Sequence, residues 1–149
     1  PYKAFYVPFP KDQNKAIVLA QKFKSIIENN TIKKIGQNIK FDLIVLQNYG
    51  IKLCGELFDT MVAHYLINPE LRHGMDYMAE ILLNYQTIHI EELIGQKGKN
   101  QLNMQQVALE KIADYACEDA DITLQLKQIL EQQIKENNSK ICIQYKGYK

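Results

Sequence analysis

The chain has 149 residues, 46% of them apolar and 23% charged, a composition typical of one soluble globular domain. Its formal net charge is only +1, so no global positive field indicates a nucleic acid partner, and any such site must be local. The three cysteines, Cys54, Cys117 and Cys142, lack CxxC spacing, which excludes a recognisable zinc site or disulfide framework and predicts a reducing, cytoplasmic setting. No membrane span and no signal peptide is predicted, because apolar runs of about 18 residues are absent.

The N-terminal region predicts one strand followed by one helix. Residues 3–8 alternate as a strand does, and Pro8 and Pro10 end the pattern. Residues 14–30 carry apolar side chains at helical spacing, which predicts an amphipathic covering helix. Its predicted inner face consists of Ile17, Ala20, Phe23, Ile26 and Ile27.

The next region predicts a second round of strands and helices. Residues 31–36 resemble a short strand, and the pattern over 39–48 predicts a helix that Gly50 closes as a C-terminal cap. A brief extended run over 51–58 precedes a third helix over 59–68. This order of elements predicts an α/β fold.

The second half of the chain is predicted to be mainly helical. A fourth helix is expected over 74–84, with Met75, Met78, Ala79 and Leu82 facing inward. Residues 95–106 show no periodicity and predict a loop, and GQKGK within them lacks the GxxxxGK[ST] spacing of a phosphate-binding loop. A long final helix should end near Glu136.

The final helix contains an inward-facing acid. Residues 114–126, DYACEDADITLQL, hold four carboxylates within eight positions. Asp119 falls on the apolar stripe of this helix, and Tyr115 shares that face one turn earlier. The stripe consists of Ile112, Ala116, Ile122, Leu126, Ile129 and Leu130. Because a buried carboxylate needs compensation, Asp119 either caps a neighbouring element or accepts from Tyr115, or it binds a metal.

The helix predicted over 39–48 contains a second inward acid. Asp42 lies between Ile39 and Leu46 on the apolar stripe, and Asn38 precedes it by one turn. Carboxylates that converge from two helices repel each other unless cations lie between them, and hard cations such as Mg²⁺ or Mn²⁺ are the usual ones. With two such acids, metal binding becomes an interpretation as strong as a purely structural role for them.

Four segments closely resemble the 3'-5' proofreading exonuclease domain of bacterial DNA polymerase I. These segments are GQNIKFD, NYGIKLCGELFDTMVAHYLINPELRHGMDYMAE, ELIGQKGKNQ and ADYACEDADITLQL. The resemblance implies a ribonuclease H-like α/β fold with a mixed sheet flanked by helices over residues 1–136, leaving 137–149 as a tail of uncertain structure. It also implies hydrolysis at a single-stranded DNA 3' end with Mg²⁺ or Mn²⁺, and a polymerase domain in cis. KAFYVPFP resembles the third strand of that sheet.

The resemblance assigns roles to individual residues. Asp42 and Asp119 match the acids of the second and third catalytic motifs, which serve the two metals. Tyr115 matches the tyrosine that orients the attacking water. Three further residues match positions near the bound DNA strand: Gln37, Asn38 and Arg72. Two cations about 4 Å apart can polarise the scissile phosphate and generate hydroxide.

The chain departs from this family at its first motif. An Asp-x-Glu is expected on a strand upstream of KAFYVPFP, but the 149 residues contain no Asp-x-Glu. Asp119-Ala-Asp121 is no substitute, because two such residues on a helix diverge by about 200°. The sheet is therefore expected to lack its first strands, the isolated chain to be inactive, and the exposed sheet edge to favour a homodimer.

Other polar residues have structural interpretations. Asp59 is expected to cap the third helix rather than bind metal. Glu118 and Asp121 are expected to be solvated, His64 to be a core residue rather than a base, and Cys117 to be a packing residue. Two other functions remain open: a non-catalytic DNA-binding or spacer module with the exonuclease fold, and a ribonuclease that trims RNA ends.

Overall fold

The computed structural model describes residues 3–136, which form seven α-helices and two short strands. In chain order these are α1 (Gln13–Gln21), α2 (Lys24–Ile27), β1 (Lys34–Gly36), α3 (Ile39–Asn48), β2 (Leu57–Asp59), α4 (Thr60–Ile67), α5 (Met75–Met78), α6 (Ile90–Ile94) and α7 (Leu109–Glu136). A π-helical turn, Ala79–Leu83, continues α5, and a 3-10 turn, Met104–Gln106, precedes α7. The tail predicted over 137–149 lies outside the described residues. No helix of the described part is both long enough and apolar enough to span a membrane.

The two strands form a parallel pair connected by α3. Lys34 pairs with Leu57, and Gly36 pairs with Asp59. A parallel pair requires a crossover connection, which α3 supplies. The α/β class predicted from the sequence is confirmed, and β1 and α3 lie where the pattern placed them.

The strand predicted over residues 3–8 does not form. These residues adopt neither helix nor strand, and the Phe5 side chain is 86% exposed. A strand needs a hydrogen-bonding neighbour, and within residues 3–136 the sheet consists of β1 and β2 alone. Just after this segment, the Phe9 ring meets the Tyr49 ring edge-on at 5.9 Å between centroids.

The covering helix predicted over 14–30 is divided into α1 and α2. The backbone tightens at the division, where the N–H of Lys22 bonds the Leu19 carbonyl and that of Phe23 bonds the Ala20 carbonyl. Ala20 is buried as predicted, whereas Ile26 is 54% exposed and does not belong to the inner face.

The core forms where α7 packs against α4, α5 and the π-helical turn. Its fully or almost fully buried residues are Ala63, Met78, Ala79, Ile122, Leu126 and Leu130. At about 1.5 Å per residue, the 28 residues of α7 span about 42 Å. From its middle onward α7 contributes Ile122, Leu126 and Leu130 to this core, and its N-terminal half carries the acids.

Candidate functional site

An open cavity of about 590 Å³ lies between the carboxyl end of β1, helix α3 and the middle of α7. Its lining residues are Ile35, Gly36, Gln37, Asp42, Met75, Asp119, Ala120, Thr123 and Leu124. Asp42 and Asp119, which are 77 positions apart in sequence, therefore reach the same cavity. Gln37 lines it as well, whereas Asn38, Arg72 and Tyr115 are not among its lining residues.

Gly36 and Gln37 bring the chain from β1 into the cavity wall. A Cβ atom on Gly36 would lie 3.0 Å from the Ile39 side chain, so a larger residue here would require the Ile39 side chain to shift. The Gln37 amide donates to the His73 carbonyl at 2.9 Å and accepts from the Thr60 hydroxyl at 2.5 Å. Both ends of the Gln37 side chain are thus bonded within the protein.

Asn38 precedes α3 in the left-handed backbone region, with φ of 57° and ψ of 47°. Asparagine adopts this conformation more readily than most residues. The side chain is exposed and does not cap the helix. The backbone N–H instead donates to the carboxylate of Asp59 at 3.2 Å.

Asp42 lies in the first turn of α3. The residue as a whole is exposed, so the inward position predicted from the helical stripe is wrong in burial, because the cavity below the residue is open rather than packed. Its carboxyl group is nevertheless partly desolvated at the cavity wall. This desolvation raises its pKa, the backbone hydrogen bond at Asp42 opposes the change, and the charge of Asp59 raises the pKa further.

Asp119 has the more strongly perturbed carboxyl group. Desolvation, followed by the neighbouring charge of Glu118, raises its pKa to about 6; the Tyr115 hydroxyl acts in the opposite direction, and Asp76 adds a smaller increase. The Oδ1 atom of Asp119 is buried and has no hydrogen-bond partner. A buried oxygen of this kind can accept a hydrogen bond from water or bind a cation.

The Tyr115 phenol is held in its protonated form. Burial, followed by the charge of Asp119, raises its pKa to about 12. At neutral pH the hydroxyl can therefore donate or accept a hydrogen bond, but it does not act as an anionic base.

Glu118 is not the solvated residue that the sequence predicted. Its carboxylate accepts from the Tyr85 hydroxyl and from the Ile88 backbone N–H, both at 2.7 Å. These two hydrogen bonds therefore hold the segment that follows the π-helical turn against α7. Asp121 also departs from the solvated prediction, because its Oδ1 atom is buried without a partner while Oδ2 accepts from Gln125 at 2.7 Å.

The remaining predicted residues lie outside the cavity wall. The Arg72 guanidinium is exposed and lies over the Tyr77 ring, 5.4 Å from its centroid. His64 is fully buried, as predicted, and its Nδ1 atom lies 2.8 Å from Nδ1 of His73. The predicted helix cap by Asp59 is confirmed, because its side chain accepts from two backbone N–H groups of α4.

Sequence reasoning missed two neighbours of the acids. Thr123 lines the cavity four residues after Asp119, a spacing that places both on one helical face and that would have identified it. Asp76 raises the pKa of Asp119, but its sequence context gives no signal of this, because the proximity arises from the packing of α5 on α7.

The described residues supply only part of a divalent-cation site. The unpartnered Oδ1 of Asp119 and the carboxylate of Asp42 are suitable hard ligands on one cavity. Within residues 3–136, however, no three acids, histidines or cysteines converge as a coordinating group. A cation held here would need further ligands, such as water or a phosphate.

Comparisons with known proteins identify the family of the chain. The model of the 3'-5' exonuclease family matches residues 3–135. DNA polymerase I of Borreliella burgdorferi is 36% identical over 140 residues, which cover 91% of this chain and 15% of the relative. DNA polymerase I of Pseudomonas aeruginosa is 38% identical over 133 residues, which cover 87% and 14% respectively. The chain thus spans about 15% of the length of the curated relatives it matches.

A solved structure of Brucella melitensis NrnC with bound Mg²⁺ has a TM-score of 0.56 and 23% sequence identity, and the match covers 78% of this chain and 53% of that chain. At this identity the likeness concerns the fold alone, which is the ribonuclease H-like α/β fold expected from the sequence. The family match extends over almost all described residues, including both cavity acids. The chain belongs to the 3'-5' exonuclease family, in the form found in DNA polymerase I.

Proposed function

We propose that the chain acts within a DNA polymerase I as its 3'-5' exonuclease domain and removes nucleotides from single-stranded DNA 3' ends. One observation carries this proposal: Asp42 of α3 and Asp119 of α7 line the same open cavity, and burial raises the pKa of both carboxyl groups. Perturbed acids on a shared cavity are typical of catalytic sites. The family match and the relatives named DNA polymerase I support the choice of reaction.

Asp42 and Asp119 are the proposed ligands of Mg²⁺ or Mn²⁺. Such cations, when bound between an acid pair and a phosphate, neutralise the developing charge and generate hydroxide near neutral pH. The pKa of about 6 at Asp119 means that its carboxylate is mostly ionised at pH 7 and above. Cation binding should therefore strengthen as the pH rises through 6.

Tyr115 is proposed to orient the attacking water. Its hydroxyl lies one turn before Asp119 and stays protonated, because its pKa is about 12. It can hold a water by hydrogen bonding without competing with it as a nucleophile.

Gln37, Asn38 and Arg72 are proposed to lie along the bound strand. The exposed side chains of Asn38 and Arg72 can reach a phosphate or a sugar. Gln37 differs, because its amide is bonded to Thr60 and His73. We propose that Gln37 shapes the cavity wall and does not hold the strand through its amide.

The isolated chain is proposed to have negligible nuclease activity. Two carboxylates provide a small part of the oxygen ligands that Mg²⁺ requires, and the 149 residues contain no Asp-x-Glu that would add to them. Degradation of a labelled single-stranded oligonucleotide with Mg²⁺ or Mn²⁺ tests this for the chain and for a version extended by an Asp-x-Glu strand. Activity should appear only in the extended protein and be abolished by Asp119→Ala.

The main alternative is a DNA-binding or spacer module that does not cut. An extended protein with no activity, but with unchanged binding to the oligonucleotide, would favour that alternative over the exonuclease. Faster degradation of an RNA oligonucleotide of the same sequence would instead favour a ribonuclease. Robust activity of the short chain, lost in Asp119→Ala, would show that the proposed catalytic set is incomplete.

The strand contacts are tested separately by binding. Asn38→Ala and Arg72→Ala should each weaken binding of a fluorescent oligonucleotide with a single-stranded 3' end, measured by anisotropy in the extended protein. Lys11→Ala is the matched control, since Lys11 is exposed and outside the cavity wall. Unchanged affinity in either test variant removes that residue from the proposed interface.

The proposal also includes an oligomeric state and a cellular compartment. The described sheet contains only β1 and β2, so each strand has an unpaired edge within residues 3–136 that a second copy could extend. Sedimentation at high concentration should then reveal a dimer, and a monomer at every concentration contradicts it. The free thiols of Cys54 and Cys117 are compatible with the reducing, cytoplasmic setting predicted from the sequence.

A further inference from the structure

Asp59 contacts the beginnings of two helices at once. It ends β2 and is 1% exposed. Its Oδ1 atom accepts from the backbone N–H groups of Met61 at 2.9 Å and Val62 at 3.3 Å, which lie in the first turn of α4. The same carboxylate accepts from Asn38 at 3.2 Å through Oδ1 and from Ile39 at 2.9 Å through Oδ2, at the beginning of α3.

The contact with α3 replaces a cap that the helix lacks. The first N–H groups of any helix have no partner within the helix. Asn38 occupies the cap position of α3, but its side chain makes no capping hydrogen bond and its backbone is left-handed. Asp59, about 20 positions further along the chain, supplies the missing acceptors.

This arrangement fixes the helix that carries Asp42. Asp42 lies in the first turn of α3 and lines a cavity that residues of α7 line as well. α4 packs directly on α7. The carboxylate of Asp59 therefore links the start of α3 to α4, which packs on the helix that carries Asp119.

We infer that Asp59 is a positioning residue of the candidate site, which holds the first turn of α3, and with it Asp42, opposite Asp119. Thr60 acts beside it, since its hydroxyl bonds the Gln37 side chain in the same wall. The significance of this placement for catalysis rests on the proposed function. The position of the first turn of α3 can be tested without any metal.

Asp59→Ser separates the two contacts of this residue. Serine is a good helix cap and can still serve α4, but its shorter side chain has no second oxygen for Ile39. The matched control is Asp12→Ser, because Asp12 caps α1 through a hydrogen bond from the Lys15 N–H at 2.9 Å and does not line the cavity. Both variants replace a helix-capping aspartate by serine, and only Asp59→Ser should disturb α3.

The decisive measurement is a set of residual dipolar couplings in the 149-residue chain. In the unsubstituted chain and in Asp12→Ser, the couplings of α3, α4 and α7 should fit one common alignment frame. In Asp59→Ser, α4 and α7 should still share a frame, the α3 couplings should depart from it, and exchange of the Ile39 amide should become roughly 10-fold faster. α3 couplings that remain in the common frame overturn the inference.

A second readout examines the site itself. Substoichiometric Mn²⁺ should broaden amide signals near both Asp42 and Asp119 in the unsubstituted chain, and Asp59→Ser should lose the broadening on α3 while it keeps that on α7. If Mn²⁺ broadens neither region of the unsubstituted chain, the same titration of the version extended by an Asp-x-Glu strand decides whether the proposed metal ligands are right, and the dipolar couplings decide the role of Asp59.

A measurement on the unsubstituted chain covers the case in which Asp59→Ser does not fold. Scalar coupling through the hydrogen bond should connect the Ile39 amide nitrogen with the side-chain carboxyl carbon of Asp59. Observation of this coupling supports the bridge between the two helices. Absence of the coupling, together with rapid exchange of the Ile39 amide, overturns it.

Discussion

Replacing Asp119 by asparagine should stabilise the chain above pH 7. Folding raises the pKa of this carboxyl group from its ordinary value of 3.8 to about 6, mainly because the group loses solvent. The folded state therefore binds the Asp119 proton more tightly than the unfolded state does. Between these two values the folded state carries more protons, so the contribution of Asp119 to stability falls as the pH rises through 6. Asparagine has nearly the same shape and cannot ionise, so it avoids this loss.

The size of the effect follows from the pKa change. One pKa unit corresponds to about 1.4 kcal/mol, so a change of roughly two units sets an upper limit of about 3 kcal/mol. Asp119 remains partly exposed, and solvent screening reduces the interaction, so about 1 kcal/mol is the reasonable expectation. In a domain of this size this corresponds to an increase of roughly 3 °C in the melting temperature.

Urea denaturation followed by circular dichroism, with EDTA present to remove cations, measures this prediction. The free energy of unfolding of Asp119→Asn should exceed that of the unsubstituted chain at pH 8, and the two should converge near pH 4. Asp114→Asn is the matched control, because Asp114 lies on the same helix but is exposed. A loss of stability in Asp119→Asn at pH 8, or an equal gain in Asp114→Asn, would refute the reasoning.

Three other changes have definite expected outcomes. Burial, followed by the charge of His73, lowers the pKa of His64 below its ordinary value of 6.5. The contribution of His64 to stability should therefore be complete above pH 6.5 and decline as the pH falls below it. The urea midpoint should fall less between pH 7 and pH 5 in His64→Leu than in the unsubstituted chain, and an equal fall in both contradicts this. Leu126→Ala removes a fully buried side chain and should lower the free energy of unfolding by about 2–5 kcal/mol, whereas Val18→Ala, at a residue 64% exposed, should change it by under about 0.5 kcal/mol. Glu118→Ala should release the segment that contains Tyr85, so chymotrypsin should cleave there faster than in the unsubstituted chain, and an unchanged cleavage rate would count against that role of Glu118.

Local patterns identified much of the helical structure. Periodicity predicted α3 with its observed bounds, and it placed Ile122, Leu126 and Leu130 on the buried face of α7. The Asp59 cap followed from an aspartate placed just before an apolar run. These predictions succeeded because hydrogen bonds and side-chain neighbours within a helix lie three or four residues apart.

The failures occurred where an element depends on a distant partner. Residues 3–8 have the alternation of a strand but no neighbouring strand in the described sheet. Glu118 has the sequence position of a solvated residue, yet it binds Tyr85 and Ile88 from a segment about 30 positions away. Propensity describes what a segment can form, whereas a hydrogen-bonding partner decides what it does form.

The candidate site depends on both kinds of information. The sequence by itself determined the two anomalous acids, the helices that carry them and the family to which the motifs belong. Only the tertiary structure decided that Asp42 is exposed at an open cavity, that Asp119 retains an unpartnered buried oxygen, and that Asp59 joins the starts of α3 and α4. Burial and long-range hydrogen bonds are set by which surfaces pack together, and this packing is a property of the whole chain, which no short stretch of residues specifies.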